Sequence, residues 1–260
     1  RAPRPRGGGR PPARGGAPRV PRRPPRAGAR TTGGLLDWGI LRLRHSVLNS
    51  PAGRPVDRLF SSPRATTAYL VAGPLSAAVS VLAWRTPIAA VSGFATVVFA
   101  LLLAVRFPFG RDGADQLALL LTLATAAYSL APTETAARVI LLVICAHMTG
   151  SYLVAGWSKL VSRAWTTGNA MHLILTSSCY GNPHLARVIP KPLQHLAGVS
   201  AAVFEALFFV VWFADPPIAF TLLGIGLFFH LMCWVAMGLN TFLLTYAAGY
   251  PALVWMITRG

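Results

Sequence analysis

From Thr67 onward the chain is a succession of long, nearly uncharged runs separated by short polar breaks, and this alternation constrains the fold more than any other feature. The apolar stretches fall at about 67–84, 87–106, 115–131, 137–160, 196–214, 217–237 and 239–257. Trp84–Pro87, the polar GRDGADQ (110–116), a long loop at 161–195 and Asp215-Pro216-Pro217 separate several of them. About 20 apolar residues carry a helix across the hydrocarbon core of a bilayer. Several runs are shorter than that, and the last contains Gly249 and Pro251, where it is expected to break or to insert halfway. The fold class expected is all-α, a polytopic membrane helix bundle of six or seven spans. Composition agrees, with 54% hydrophobic and only 12% charged residues, against about 25% charged in soluble domains.

The formal charge of +17 suggests a nucleic-acid binder until it is located. Residues 1–34 hold ten arginines and no acid among Pro, Gly and Ala, so most of the excess is a tail ahead of the membrane part. Such a stretch buries too little apolar surface to offset the entropy of ordering, and it is read as disordered. No aromatic residue is interleaved to stack on bases, so a specific nucleic-acid partner is not expected. The sequence does not open on Met, which leaves truncation or a mis-set start as readings of this tail. Residues 35–66 form an interfacial amphipathic segment, with Leu36, Ile40, Leu43 and Val47 at helical spacing and Arg42, Arg44 and His45 between them. SPAGRP is expected to break that helix, and Ser61–Arg64 to break the chain again before the membrane domain at 67–257. The positive-inside rule keeps the basic start cytoplasmic. Alternation then places Arg106, Arg111 and the 159–195 loop inside, with Glu134, Asp215, Arg85 and Arg138 outside. Three widely spaced cysteines without a CxxC or Cys/His spacing give no metal site.

Chemistry concentrates at Ser151–Met171, SYLVAGWSKLVSRAWTTGNAM. A lysine at membrane depth costs roughly 2.5–3.5 kcal/mol on insertion scales, so Lys159 either snorkels to the interface or serves a purpose there. Tyr152, Gly156 and Lys159 lie one and two turns apart on one helix face, an arrangement in which Gly156 leaves room above the amine. His147 and Ser151 occupy an adjoining face. His230 stands mid-helix in LFFHLMC with Gly226 one turn before it, and reads either as a hydrogen-bonded core residue or as a functional one. Glu205, in an otherwise apolar helix, is costly unless paired or protonated. It is a structural partner for a basic group or part of a proton path. Asp112 and Asp115 cap the helix that begins near them, and Trp157, Trp165, Trp212 and Trp255 suit interfaces or packing.

Residues 152–171 resemble the Y-x-x-A-G-x-x-K-L…W-x-x-G segment of the membrane domain shared by vitamin K-dependent γ-glutamyl carboxylases and the bacterial HTTM (horizontally transferred transmembrane) proteins. GRDGADQ resembles that family's short loop ahead of a helix. FEALFF and FFHLMCWVAMGLNTF (204–242) resemble its late pair of helices, which carry an acid and then a His. The resemblance covers roughly 67–257. It implies Lys159 as the base toward a reduced quinone (vitamin K hydroquinone or menaquinol), His230 and Glu205 as further catalytic residues, and Tyr152, Gly156 and Trp165 around the substrate. Desolvation disfavours a charged ammonium, which is the physical sense of using a membrane lysine as a base. The chain departs from the carboxylases in two respects. It has no counterpart of their large extracytoplasmic portion, so carboxylation of a protein is not expected. Its charge pattern also puts Lys159 inside, where the family's lysine faces the lumen.

Two readings of function stand side by side. One is a quinol-linked membrane enzyme using Lys159. The other is a non-catalytic membrane component, with a secreted peptide or another membrane protein as partner, that assists maturation or export of the peptide. A transporter ranks below both, because only one candidate broken helix is visible where inverted repeats would supply a pair.

Overall fold

The computed structural model describes residues 37–44, 50–83, 86–108, 112–178 and 180–259. The tail at 1–34 falls outside these residues. The chain divides after Asp57 into two compact units. In the first, Asp37 caps helix α1 (Trp38–Leu41) by accepting from the Gly39 amide, and a 3-10 turn at Arg42–Arg44 follows. Asp57 accepts from the Trp38 indole at 2.9 Å and pairs with Arg42 at 3.2 Å. Trp38 and Leu41 are buried, Ile40 and Leu43 of the apolar stripe are exposed, and Leu36 and Val47 lie outside the described residues. Ser50 caps a 3-10 turn, Pro51–Gly53, that runs directly into α2 (Arg54–Ser61).

The second unit is a bundle of seven long helices: α3 (Pro63–Leu82), α4 (Pro87–Arg106), α5 (Gly113–Leu130), α6 (Glu134–Leu160), α10 (Lys191–Leu207), α11 (Pro216–Met237) and α12 (Asn240–Arg259). Their starts follow sequence rules. Ser62, Thr133 and the Asp112–Asp115 capping box satisfy first-turn amides, and Pro occupies the first turn of α3, α4, α10 and α11. Six of the seven, counting α10 with the 3-10 turn Phe208–Trp212 that extends it, are long and apolar enough to cross a bilayer, α5 being the exception. At 18 residues α5 is about 27 Å long, and its polar first turn, not its body, sets it apart. The protein is a multi-pass α-helical membrane protein.

Side-chain contacts fix the directions. Ser80 Oγ donates to the Ala89 carbonyl and Ser76 bonds Thr96, so α3 and α4 are antiparallel. Gly93 lies against Ala126, where an added Cβ would sit 2.8 Å from the alanine Cβ, so the backbones of α4 and α5 approach closely, and the short links on either side of α5 turn the chain back against both α4 and α6. Trp212 Nε1 donates to Thr149 Oγ1 at 2.9 Å, and Gly156 meets Ala206, which sets α10 antiparallel to α6. His230 stacks on Tyr246, and Gly226 faces Tyr250, across antiparallel α11 and α12. The C-terminus of α6 therefore lies at the same end of the bundle as the N-terminus of α3.

Two expectations are corrected here. The last helix does not break: α12 continues through Pro251, flanked by buried Tyr246, Gly249, Tyr250, Ala252 and Leu253, whose packing holds it on both sides of the proline. The stretch 161–195 is not an open loop. It folds into α7 (Arg163–Thr166), α8 (Ala170–Thr176) and α9 (Pro183–Val188), and α10 already begins at Lys191. Gly168, at φ 79°, supplies the left-handed turn between α7 and α8.

Candidate functional site

Gly156 determines where the charged residues meet. The space above it is filled by the backbone of α10 rather than left open for a substrate: a Cβ at this position would lie 2.1 Å from the Ala206 nitrogen and 2.7 Å from its Cα. This contact sets Glu205 against the next turn of α6. Lys159 Nζ donates to Glu205 Oε2 at 2.5 Å, with the two side chains 19% and 6% exposed. The same amine reaches the Ala155 carbonyl at 3.4 Å and stands 5.3 Å from the centre of the Trp165 ring. Trp165 in turn rests on Gly198 of α10, where an added Cβ would be 3.6 Å from the ring. Lys159 is thus held at the end of α6 beneath α7, and of the two readings of Glu205, partner to a basic group describes its contacts.

A second polar group lies deeper. Tyr152 is two turns before Lys159, about 10 Å along the helix axis. Its hydroxyl shares hydrogen bonds with His230 Nε2 at 2.6 Å and with the Tyr250 hydroxyl at 2.9 Å. Gly226 makes room for both phenols, since a Cβ there would come within 2.3 Å of the Tyr250 oxygen and 3.1 Å of the Tyr152 oxygen. Around this chain Phe208 stacks on Tyr152 at 4.0 Å, Phe204 meets it edge-on, and Tyr246 stacks on His230 at 4.2 Å. His230 is 2% exposed, and its Nδ1 has no hydrogen-bond partner. Whichever ring nitrogen carries the proton, one buried polar atom stays unsatisfied.

The structure therefore sorts the predicted residues into two layers. Lys159, Glu205, Gly156 and Trp165 form one, Tyr152 and His230 the other, and α6 together with the adjacent Phe204 and Glu205 joins them. Ser151 joins the deeper layer through a side-chain hydrogen bond with Tyr246, and its Oγ also donates to the His147 carbonyl, whereas His147 Nε2 is buried without a partner. Sequence reasoning missed Tyr246 and Tyr250. Their spacing of one turn on the last helix was the available signal, hidden by the expectation that this helix breaks.

Comparisons with protein-family profiles, curated proteins and solved structures returned no match.

The Lys159–Glu205 pair has acid–base capacity as a unit. In its ammonium–carboxylate form it takes up one further proton, which leaves ammonium and carboxylic acid, so the accepting site belongs to the pair and not to the amine alone. Among the described residues no three His, Cys, Asp or Glu side chains come together to hold a metal ion.

Proposed function

We propose that this is a membrane enzyme acting on a reduced quinone, with the Lys159–Glu205 pair as proton acceptor. The observation that carries the reading is a lysine and a glutamate, both largely buried, joined at one end of the bundle beside a shell of aromatic side chains. A flat apolar ring with hydroxyl groups suits such surroundings, with the centre of the Trp165 ring 5.3 Å from Lys159 Nζ and Phe204 next to Glu205 in the chain. The quinol would supply an acidic hydroxyl. Glu205 positions the amine and shares the proton, Trp165 excludes water above Lys159, and Tyr152 with His230 and Tyr250 gives the interior a hydrogen-bonded route for proton rearrangement. The resemblance to HTTM and carboxylase membrane domains points the same way. The cytoplasmic side is assigned to the N-terminus and to the Lys159 end together, and the cell membrane to the protein as a whole.

The test is oxidation of reduced vitamin K and of menaquinol by dissolved dioxygen, the electron acceptor, in the presence of the protein in lipid nanodiscs, comparing wild type with Lys159→Ala and Glu205→Gln and with protein-free nanodiscs. Turnover lost in both variants, with normal insertion, supports the enzyme. Absence of turnover in wild type overturns it.

A second reading is favoured by the completeness of the pair itself. A lysine whose charge is already matched by Glu205 serves as a clamp between α6 and α10, as in a non-catalytic component that assists maturation or export of a secreted peptide. Co-purification of such a peptide, unchanged by Lys159→Ala, separates this reading from the first.

A further inference from the structure

The layer formed by α7, α8, α9 and the first turns of α10 has a charge pattern unlike the rest of the bundle. From Val161 to Phe204 the sequence contains no Asp or Glu. Arg163, Arg187 and Lys191 are all exposed there, as are His184 and His195. Among the described residues none of these three cations has an ion-pair partner, and the side-chain contact of Arg187 is donation from Nε to the Pro183 carbonyl of its own helix. The carboxylates at this end of the bundle are occupied. Glu205 is held by Lys159, and Asp112 and Asp115 are turned onto the first turn of α5. At the opposite end the charges balance among the described residues, Arg138 being matched by Glu134 and Arg259 being offset in formal charge by Asp215.

The cations are presented on a fixed platform. Gln194, 1% exposed, donates from Nε2 to the Ala186 and Ile189 carbonyls and so ties the end of α9 to α10, while Trp165 packs α7 on Gly198. Between the cations the same layer exposes Leu173 of α8, Val188 of α9 and Leu193 on the first turn of α10. Arginine and lysine interleaved with outward apolar residues is the composition of an element that lies in the headgroup region, with its apolar atoms in the acyl boundary and its charges on phosphate.

We infer that the α7–α10 layer is a binding face for anionic phospholipid headgroups, with Arg163, Arg187 and Lys191 as the phosphate-contacting residues. The inference is independent of any reaction at Lys159, although the layer that would bind the lipid also roofs that residue through Trp165. Lipid contact would hold the roof in place.

The experiment uses the full chain in phosphatidylcholine nanodiscs doped with phosphatidylglycerol. Lipid retained after release into detergent is counted by native mass spectrometry. Wild type is expected to retain phosphatidylglycerol over phosphatidylcholine. Retention should fall roughly fivefold for each cation removed in the series Arg163→Gln, Arg187→Gln, Lys191→Gln, and should decline for wild type as salt is raised. The pair Arg138→Gln, Arg259→Gln at the far end should leave it unchanged. Equal retention by wild type and the triple variant overturns the inference, as does salt independence, which needs no variant to fold. At matched ionic strength, displacement of the lipid by inorganic phosphate but not by chloride would make this a site for soluble phosphate, and displacement by an acidic peptide would make it a peptide site. Either result overturns the assignment to headgroups.

Discussion

At the scale of single residues, the energetics turn on partners that cannot be removed one at a time. Breaking a buried ion pair by deleting one member strands the other, at a cost of about 3–5 kcal/mol. Lys159→Met and Glu205→Met are each expected to lower thermal stability in nanodiscs, whereas the double substitution recovers much of the loss. A double-mutant cycle with additive effects would rule out direct coupling. Gly156→Ala attacks the same contact from the backbone. Its methyl meets the main chain of Ala206 and Glu205 rather than a flexible side-chain tip, so it should cost at least the roughly 1–3 kcal/mol of overpacking and separate Lys159 from Glu205. Tyr152→Phe removes the hydroxyl shared by His230 and Tyr250 and leaves two buried groups unsatisfied, at about 1–3 kcal/mol each. His230→Phe in the same background should regain stability, which the melting midpoint of the double variant reads directly. Lys159, Glu205, Tyr152 and His230 were each visible in the sequence as polar residues in apolar runs. Their grouping into two layers was not, because nothing local says that a glycine on α6 and an alanine on α10 touch.

Among the helices, local rules predicted starts well and interruptions poorly. Ser62, Asp112 and Thr133 act as caps through their own side chains, a short-range effect that sequence alone can read. Pro251 was read as a break for an equally local reason, since it removes the amide that would bond the Ala247 carbonyl. Packing overrides it: Tyr246 and Tyr250 before the proline and Leu253 after it are all buried in the core. Pro251→Ala should therefore leave the fold intact and hold or raise the melting midpoint. A large loss of stability would mean that the proline is required for the shape of α12. The short helices α7–α9 were missed because pieces of four to seven residues are too brief for a 3.6-residue period to register.

For the whole molecule, α5 decides on which side Lys159 stands. Counted as a crossing, it returns the C-terminus of α6 to the side on which α3 begins; left out, it sends Lys159 to the opposite side. Its close packing against α4 through Gly93 and Ala126, and its buried Leu117 against Gly249, place it among the other long helices. Single cysteines introduced at Ser178 and at Thr66, in a background lacking the native ones, are expected to react with a membrane-impermeant thiol reagent from the same side. Labelling from opposite sides would remove α5 from the spans. Arg259, at the end of α12, falls on the side of Glu134 and Asp215 and leaves the basic majority on the other. The sequence by itself determined that this chain is a helical membrane protein and that Glu205 and His230 stand within its apolar helices, because both follow from the cost of placing charge and unpaired backbone in hydrocarbon. Only the tertiary structure decided what those residues meet, because Gly156 and Gly226 act through contacts between helices distant in sequence. A local pattern shows that a side chain is absent there, but not which backbone or hydroxyl fills the space.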